Sequence, residues 1–354
     1  MDVDLLRSAV AWRDGRLEIV DQTLLPGRLV VRRLGSAAEV VDALGRLAVR
    51  GAPAIGVAGA FGVVLGLAEA GPPRPGPEGL AAARRDLERV AATLEVARPT
   101  AVNLRWAVRR VAAAAAGAAD AAELRRRALA EATAVLSEDR AACAAMAAAG
   151  RAELAASSRL LTHCNTGRLA TAGLGTALGV VYAKAAAGEP VQVLASETRP
   201  LLQGARLTAW ELVNAGIPVT VVADTAAGAA MAGGLVDAVL VGCDRVAANG
   251  DTANKIGTYT LAVLARANRL PFYVVGPLSS FDPAAPDGAA IEIELRPAAE
   301  VACVAGSRLA PEAAGVWNPA FDVTPAALVT AFITDAGVLR PPFGPAIAGA
   351  LASR

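Results

Sequence analysis

The chain has 354 residues, which is enough for two domains or one large one and for a substantial buried core. It holds 34 Lys and Arg against 33 Asp and Glu, so its net charge of +1 predicts neither a nucleic-acid partner nor an anionic membrane. The four cysteines form no CxxC pair, and the acidic amino terminus lacks the features of a secretion signal. We therefore expect a cytoplasmic protein with reduced cysteines.

The chain contains one histidine, His163, and this excludes several kinds of chemistry. A multi-histidine metal cage and an HExxH zinc site cannot form, and no GxSxG motif accompanies His163 to suggest a serine triad. We therefore expect no metal and no other cofactor. Acid–base chemistry must then come from a carboxylate, a thiol, a lysine or a tyrosine.

The amino-terminal part opens with two strand-like segments at 16–20 and 28–34. A capping-box pattern from Ser36 to Glu39 then predicts a helix that runs to about residue 49. Residues 51–68 lack charge, but their glycines and Pro53 argue against a membrane span. Further helices are predicted at 78–96, 101–116 and 121–155. Residues 1–150 therefore form a mainly helical amino-terminal domain with short strands at its start.

From residue 158 onwards, short apolar runs alternate with helical patterns. The runs lie at 159–164, 191–196, 218–222, 238–242 and 272–276, and the helical patterns at 170–187, 204–215, 225–234 and 255–268. Alternating strands and helices predict a parallel sheet with right-handed crossovers. Ligands of such α/β folds bind beyond the carboxyl ends of the strands, so we expect the site there.

A thiol and a carboxyl group follow two of these strands. Cys164 lies at a strand-to-helix turn, where the positive end of the helix dipole favours the thiolate, although a buried structural cysteine fits equally well. Asp244 follows an apolar strand, and a carboxyl group in such a setting can have a raised pKa and act as a general acid. Alternatively, Asp244 caps its loop or pairs with Arg245. His163 alternates with Cys164, and we interpret it as a structural histidine that points to the opposite face.

Other polar segments have less specific patterns. Residues 196–199 form a polar cluster that suits either a site or simple capping and surface ion pairs. Lys255 follows a turn-rich loop at a predicted helix start, and the amides of a helix start together with a lysine favour phosphate binding. The glycines between 173 and 179 miss the dinucleotide fingerprint and lie within a predicted helix, so they indicate close packing. Arg50 and Arg98 lie in basic turns, where arginines are usually solvated.

Taken together, seven segments resemble those of the methylthioribose-1-phosphate isomerases. The segments are RGAPAIG at 50–56, RPTAVNL at 98–104, THCNTG at 162–167, ETRPLLQGARLT at 197–208, DRVAANGD at 244–251, NKIGTY at 254–259 and NPAFDVTP at 318–325. The similarity covers nearly the whole chain. The same family holds ribose-1,5-bisphosphate isomerases and the regulatory subunits of the translation-initiation nucleotide-exchange factor.

The resemblance implies a Rossmann-like catalytic domain over residues 151–354, a homodimer, and a catalytic pair formed by Cys164 and Asp244. It also implies a set of substrate contacts: Arg50, Gly51, Ala52, Arg98, Gln203, Asn254 and Lys255. The chain departs from the expected pattern at Ser196, Thr166, Arg168 and Cys243. None of these departures removes a catalytic group.

The resemblance implies that the substrate is a small sugar phosphate and that the reaction converts 5-methylthioribose 1-phosphate to 5-methylthioribulose 1-phosphate in methionine salvage. Three alternatives remain: 5-deoxyribose 1-phosphate or ribose 1,5-bisphosphate as the substrate, and a non-enzymatic regulatory subunit. The hydrogen moves between C2 and C1 either through an enolate or as a hydride, and the sequence does not distinguish the two.

Overall fold

The computed structural model describes residues 8–98, 102–304 and 306–353. Its contacts divide the chain into two compact units. The first contains residues 1–144 together with 167–175, and the second contains residues 145–166 together with 176–354. The short segment 167–175 therefore groups with the amino-terminal unit. The division into domains at 1–150 and 151–354 stays a prediction.

The first unit combines a small sheet with helices. An antiparallel sheet contains β1 (Val10–Arg13), β2 (Arg16–Val20) and β3 (Val31–Leu34), in the order β1-β2-β3. The helices are α1 (Ala37–Gly45), α2 (Ala52–Glu69), α3 (Gly76–Glu95), α4 (Val102–Ala116) and α5 (Ala121–Glu153), and the boundary between the units falls inside α5. The Ser36 hydroxyl accepts the Glu39 N–H and caps α1, as the sequence predicts.

Helix α2 is the core helix of this unit. By length and composition alone it could cross a membrane, but 72% of its apolar window is buried inside the protein. Its glycines allow close packing: a Cβ at Gly59 would lie 2.4 Å from Leu104, and one at Gly66 would lie 2.5 Å from Val90. Larger residues there would push α3 and α4 away. The burial explains why this segment is apolar throughout.

The second unit is built on a seven-stranded sheet. Its strands are β4 (Arg159–Thr162), β5 (Gln192–Ser196), β6 (Val219–Val222), β7 (Ala238–Val241), β10 (Phe272–Val275), β15 (Ala331–Thr334) and β16 (Gly337–Leu339), in the order β16-β15-β10-β7-β4-β5-β6. All neighbours are parallel except β15 and β16. The helices are α6 (Ala177–Ala186), α7 (Ala209–Asn214), α8 (Ala227–Ala232), α9 (Thr258–Ala267), α10 (Ala299–Ala302) and α11 (Phe343–Ala352). This confirms the predicted α/β class with a parallel sheet.

A second sheet lies in the same unit, and one of its strands, Thr252–Lys255, falls in the segment predicted as a turn-rich loop. It contains β8 (Arg245–Ala247), β9 (Thr252–Lys255), β11 (Phe281–Asp282) and β14 (Phe321–Thr324), in the order β11-β8-β9-β14. Two short strands, β12 (Cys303–Val304) and β13 (Ser307–Arg308), pair antiparallel. A buried aromatic group formed by Phe281, Phe332 and Phe343 packs edge to face in the core.

The prediction of a helix at 170–187 is wrong for residues 170–176. A 3₁₀ turn covers Arg168–Ala170, and α6 begins only at Ala177. The intervening chain is held by α5: Asp139 accepts the Ala172 N–H at 2.6 Å, and Arg140 Nε donates to the Ala172 carbonyl at 3.1 Å. These long-range hydrogen bonds override the helical spacing of small residues. The glycines 173 and 175 accordingly lie outside the helix.

Candidate active site

Cys164 follows the carboxyl end of β4 in an unusual backbone conformation. Its φ is +60°, a left-handed value that costs a residue with a Cβ about 1–2 kcal/mol. The Cys164 N–H donates to Thr198 Oγ1 at 2.8 Å, and Thr208 Oγ1 donates to the Cys164 carbonyl at 2.6 Å. Cys164 is buried, with 8% of its surface exposed. The turn therefore presents the thiol at the sheet edge from a fixed, mostly dry position.

Asp244 reaches the same edge from the neighbouring strand. β4 and β7 are parallel, with Leu161 opposite Val239, so the chain leaves both strands on one side of the sheet. Asp244 is partly buried, and its N–H donates to the Ala253 carbonyl at 3.0 Å, where β8 begins. The predicted position of both residues at one sheet edge is thus found.

Cys243, next to Asp244, packs against the apolar core of the second unit. It lies against the core beside β7, and a Cβ at Gly276 would come within 2.2 Å of its Sγ. Burial, with a further contribution from the Asp244 charge, raises the pKa of the Cys243 thiol to about 12. Cys243 is therefore a protonated packing residue at neutral pH.

The turn after β5 lies at the same edge of the sheet as Cys164 and Asp244. Asp224 accepts the N–H groups of Thr198 and Arg199 at 2.8 and 2.7 Å, and Thr198 has a φ of +65°. Ser196 and Thr198 of this cluster are buried, whereas Glu197 and Arg199 are partly exposed. Next to it, Gln203 is 6% exposed, and its Oε1 accepts no hydrogen bond from any residue that the structure describes. Such an acceptor costs about 1–3 kcal/mol unless a ligand supplies a donor.

A π-helical segment, Gly204–Thr208, leads from this turn into α7. π-helical turns often occur at functional sites. Gly204 is required here, because a Cβ would lie 1.7 Å from the Ser196 carbonyl oxygen. The wide turn places Thr208 against Cys164. The sequence gives no signal for this contact, because the segment reads as an ordinary helix.

The buried carboxylate of Glu211 accepts hydrogen bonds from side chains next to the Cys164 turn. Glu211 accepts from Asn165 Nδ2 at 2.7 Å and from the Tyr182 hydroxyl at 2.8 Å. Asn165 also donates to Thr208 Oγ1 at 3.3 Å. Asn165 and Thr208 flank Cys164 in space, so this network links α6 and α7 to the turn. Sequence reasoning did not find Glu211 or Tyr182.

His163 ties the end of β4 to the segment before α9. Its Nε2 lies 2.7 Å from the Ile256 carbonyl, which can only accept, so Nε2 carries the proton. Nδ1 then accepts from the Ser196 hydroxyl at 2.6 Å. Burial lowers the pKa of His163, which agrees with this neutral tautomer. The interpretation of His163 as a structural histidine therefore agrees with the structure.

Asn254 and Lys255 end strand β9, which corrects the prediction that they lie in a loop and that the helix starts at 255. Asn254 Nδ2 donates to Thr258 Oγ1 at 2.9 Å. Lys255 Nζ donates to the Ala320 carbonyl at 2.7 Å and lies 4.5 Å from the centre of the Phe321 ring. Antiparallel pairing with β14 and β8 forms this strand where turn residues indicated a loop.

Asp322 occupies the start of α9. Its carboxylate accepts the N–H groups of Gly257 at 2.7 Å and Tyr259 at 3.0 Å. Burial raises the pKa of Asp322 to about 6, against the opposing effects of these N–H groups and the Lys255 charge. The expectation that helix-terminal amides join Lys255 at a phosphate is therefore wrong for these two amides. Sequence reasoning missed Asp322.

Four of the predicted substrate contacts belong to the first unit: Arg50, Gly51 and Ala52 lie at the start of α2, and Arg98 lies after α3. Arg50 Nε donates to Gln22 Oε1 at 3.0 Å. Gly51 has a φ of +94° and contacts Ala170 so closely that a Cβ would lie 2.6 Å away, and Ala52 begins α2. Arg98 is partly buried after α3, whereas residues 99–101 lie outside the described part of the chain. Their assignment as substrate contacts stays a prediction.

Among the residues that the structure describes, no group of three or more His, Cys, Asp and Glu side chains is arranged to hold a metal ion.

Comparison with known proteins gives one family over most of the chain. Residues 48–341 match the model of the initiation factor 2 subunit family. The chain is 51% identical to a 5-deoxyribose 1-phosphate isomerase of Moorella thermoacetica, over 97% of each chain. It is 53% identical to a methylthioribose-1-phosphate isomerase of Desulforudis audaxviator, over 98% of each.

Two solved structures are similar over their full length. A 5-methylthioribose 1-phosphate isomerase from Pyrococcus horikoshii has a TM-score of 0.91 and 41% identity, and the match covers 100% of this chain and 99% of that one. The translation initiation factor eIF-2B, subunit delta, from A. fulgidus has a TM-score of 0.85 and 40% identity, with 98% and 99% covered.

The neutral state of His163 can be tested without mutagenesis, because the chain has one histidine. Burial lowers its pKa below 6.5, so below pH 6.5 the unfolded chain binds the proton more readily than the folded one. The contribution of His163 to stability is therefore present above pH 6.5 and lost as the pH falls. We expect the single Cε1–H resonance to titrate with a midpoint below 6.5 and the ¹⁵N shifts to show an Nε2–H tautomer. A midpoint at or above 6.5 contradicts this account.

Proposed function

Because the chain belongs to the initiation factor 2 subunit family and is a sugar-phosphate isomerase, we propose that its substrate is 5-methylthioribose 1-phosphate and its product 5-methylthioribulose 1-phosphate. The observation that carries the proposal is the placement of Cys164 and Asp244 after neighbouring parallel strands. A thiol and a carboxyl group at one edge are the two groups that this isomerisation requires.

The 1-phosphate prevents ring opening through a free anomeric hydroxyl, so an acid must protonate the ring oxygen as the ring opens. We assign this role to Asp244, which is partly buried and follows the apolar strand β7. The hydrogen on C2 must then reach C1, and the C2 hydroxyl must lose its proton as C2 becomes a carbonyl. That proton returns to the Asp244 carboxylate, so the acid is restored. Cys164 serves either as the base that removes the hydrogen on C2 and gives an enolate, or as a group that stabilises a hydride shift.

The remaining polar groups suit the rest of the substrate. The buried Gln203 Oε1 can accept a hydrogen bond from a sugar hydroxyl, which would offset the cost of its burial. Lys255 ends β9, and β9 pairs with β8 directly after Asp244. Its ammonium is our candidate for the phosphate contact, with Asn254 beside it.

A second candidate substrate is 5-deoxyribose 1-phosphate, favoured by the name of the Moorella relative. It differs from the first only in lacking the methylthio group at C5. Ribose 1,5-bisphosphate is less suitable, because its second phosphate needs further cations. The homodimer and the cytoplasmic location that the resemblance implies stay predictions.

Turnover of the three sugar phosphates by the purified protein tests the proposal. The assay contains EDTA, because we expect a reaction that needs no metal. We expect the highest kcat/KM for 5-methylthioribose 1-phosphate. A higher value for 5-deoxyribose 1-phosphate contradicts the assigned substrate, and a rate that a divalent ion must restore contradicts the metal-free reaction.

Replacement of the catalytic pair tests the mechanism. We expect Cys164→Ser and Asp244→Asn each to lower kcat at least about a hundredfold, as for acid–base groups, with much smaller changes in substrate binding. Cys243→Ser is the control, because its thiol packs against the core next to Asp244. It should stay active. A fully active Asp244→Asn variant rules out the proposed acid.

Lys255→Met tests the phosphate contact while it keeps an apolar stem over Phe321. Loss of one charge-assisted hydrogen bond should raise KM at least about tenfold and change kcat less. Arg266→Met is the matched control, because Arg266 also donates to a backbone carbonyl, that of Ala327. An unchanged KM in Lys255→Met, measured on a folded variant, removes Lys255 from the site.

A further inference from the structure

We propose that Thr198 and Thr208 are positioning residues whose hydroxyl groups hold the backbone of Cys164 in its left-handed conformation and so fix the thiol. The proposal rests on the role of Cys164 as the reacting thiol. It adds two residues from two different segments of the chain, one after β5 and one at the end of the π-helical segment.

The backbone of Cys164 needs such support for two reasons. Its left-handed conformation is unfavourable for a residue with a Cβ. The ladder between β4 and β5 ends at Thr162 opposite Ala195, so Cys164 lies beyond the regular pairing of these strands. A buried N–H and carbonyl without that pairing must find other partners.

Two hydroxyl groups supply these partners. Thr198 Oγ1 accepts the Cys164 N–H at 2.8 Å, and Thr208 Oγ1 donates to the Cys164 carbonyl at 2.6 Å. Both threonines are fully buried. Water therefore cannot easily replace either hydroxyl, and one bond on each side of the Cα fixes both peptide groups.

Each hydroxyl is itself held in the required orientation. Thr198 Oγ1 donates its proton to the Ser196 carbonyl at 3.0 Å, which leaves its oxygen to accept from Cys164. The Thr198 N–H is fixed by Asp224 at 2.8 Å. Thr208 gives its proton to Cys164 and accepts from Asn165. Donor and acceptor roles are consistent throughout.

A fixed backbone limits the thiol to a few positions, because Sγ can move only by rotation about the Cα–Cβ bond, which has three staggered wells. If either hydroxyl is removed, the residue can relax towards a negative φ, and Sγ then moves relative to the sheet edge. Misplacement of a reacting group by about 1 Å can cost a hundredfold in rate. Relaxation also exposes a thiol that is now buried.

The test compares Thr198→Val and Thr208→Val with the serine variants at the same positions. We expect each valine variant to lower kcat at least about tenfold with KM changed less than about threefold. We also expect the rate at which iodoacetamide alkylates Cys164, followed by mass spectrometry of its peptide, to rise at least about threefold. The serine variants keep the hydroxyl and should behave like the unmodified chain.

Thr334→Val is the matched control. Thr334 is also fully buried, as the last residue of β15 in the same sheet, and its hydroxyl donates to one carbonyl and accepts one N–H. It should lower the melting temperature without changing kcat or the alkylation of Cys164. If a valine variant does not fold, the alanine variant at that position removes the same hydroxyl with less bulk.

The outcomes separate this proposal from the proposed function. Unchanged kcat and unchanged alkylation in both folded valine variants overturn the positioning role. Serine variants that fail to restore the unmodified behaviour also overturn it, because packing of the methyl group is then responsible. If the unmodified chain turns over none of the three sugar phosphates, the proposed function is wrong. Faster alkylation of Cys164 in the valine variants would then still support the positioning role of the two threonines.

Discussion

The parallel pairing of β4 with β5 and β7 is the constraint on which the candidate site depends. Since the three strands run in one direction, the chain leaves all of them at one edge. Cys164, Thr198 and Asp244 follow these three strands. The direction of the strands alone therefore brings the three residues to that edge. The β8–β9 hairpin, which begins directly after Asp244, then carries Asn254 and Lys255 to the same end of the unit.

The side chains around Cys164 are polar but mostly buried, and this combination makes their hydrogen bonds necessary. His163, Asn165, Thr198, Thr208 and Glu211 are all buried, and each has partners on another element. Removal of one partner from such a group leaves the other unsatisfied, at about 1–3 kcal/mol. Hydrogen bonds are directional, whereas apolar contacts are not. The network therefore favours one geometry of the turn around Cys164.

Much of this arrangement follows from the sequence, and the exceptions have a common cause. Five apolar runs predicted the five strands from β4 to β10 of the parallel sheet, and the rule on carboxyl ends predicted that Cys164 and Asp244 share an edge. Local patterns failed where distant residues decide the structure. Ala172, in the segment before α6, is held by Asp139 and Arg140, and β9 forms because β14 pairs with it. Asp322 and Glu211 could not be found, because their partners lie far from them in the chain.

The carboxylate at the start of α9 has a consequence for selectivity. A bare helix start attracts any oxyanion, including the inorganic phosphate and sulfate that are abundant in cells. Here Asp322 already satisfies the Gly257 and Tyr259 amides, so a free anion gains nothing from them and meets a carboxyl group instead. If the proposed substrate binds here, recognition of its phosphate must rest on the proposed contacts with the sugar and with Lys255. In the proposed site, Asp322 would therefore disfavour small anions that compete with the substrate.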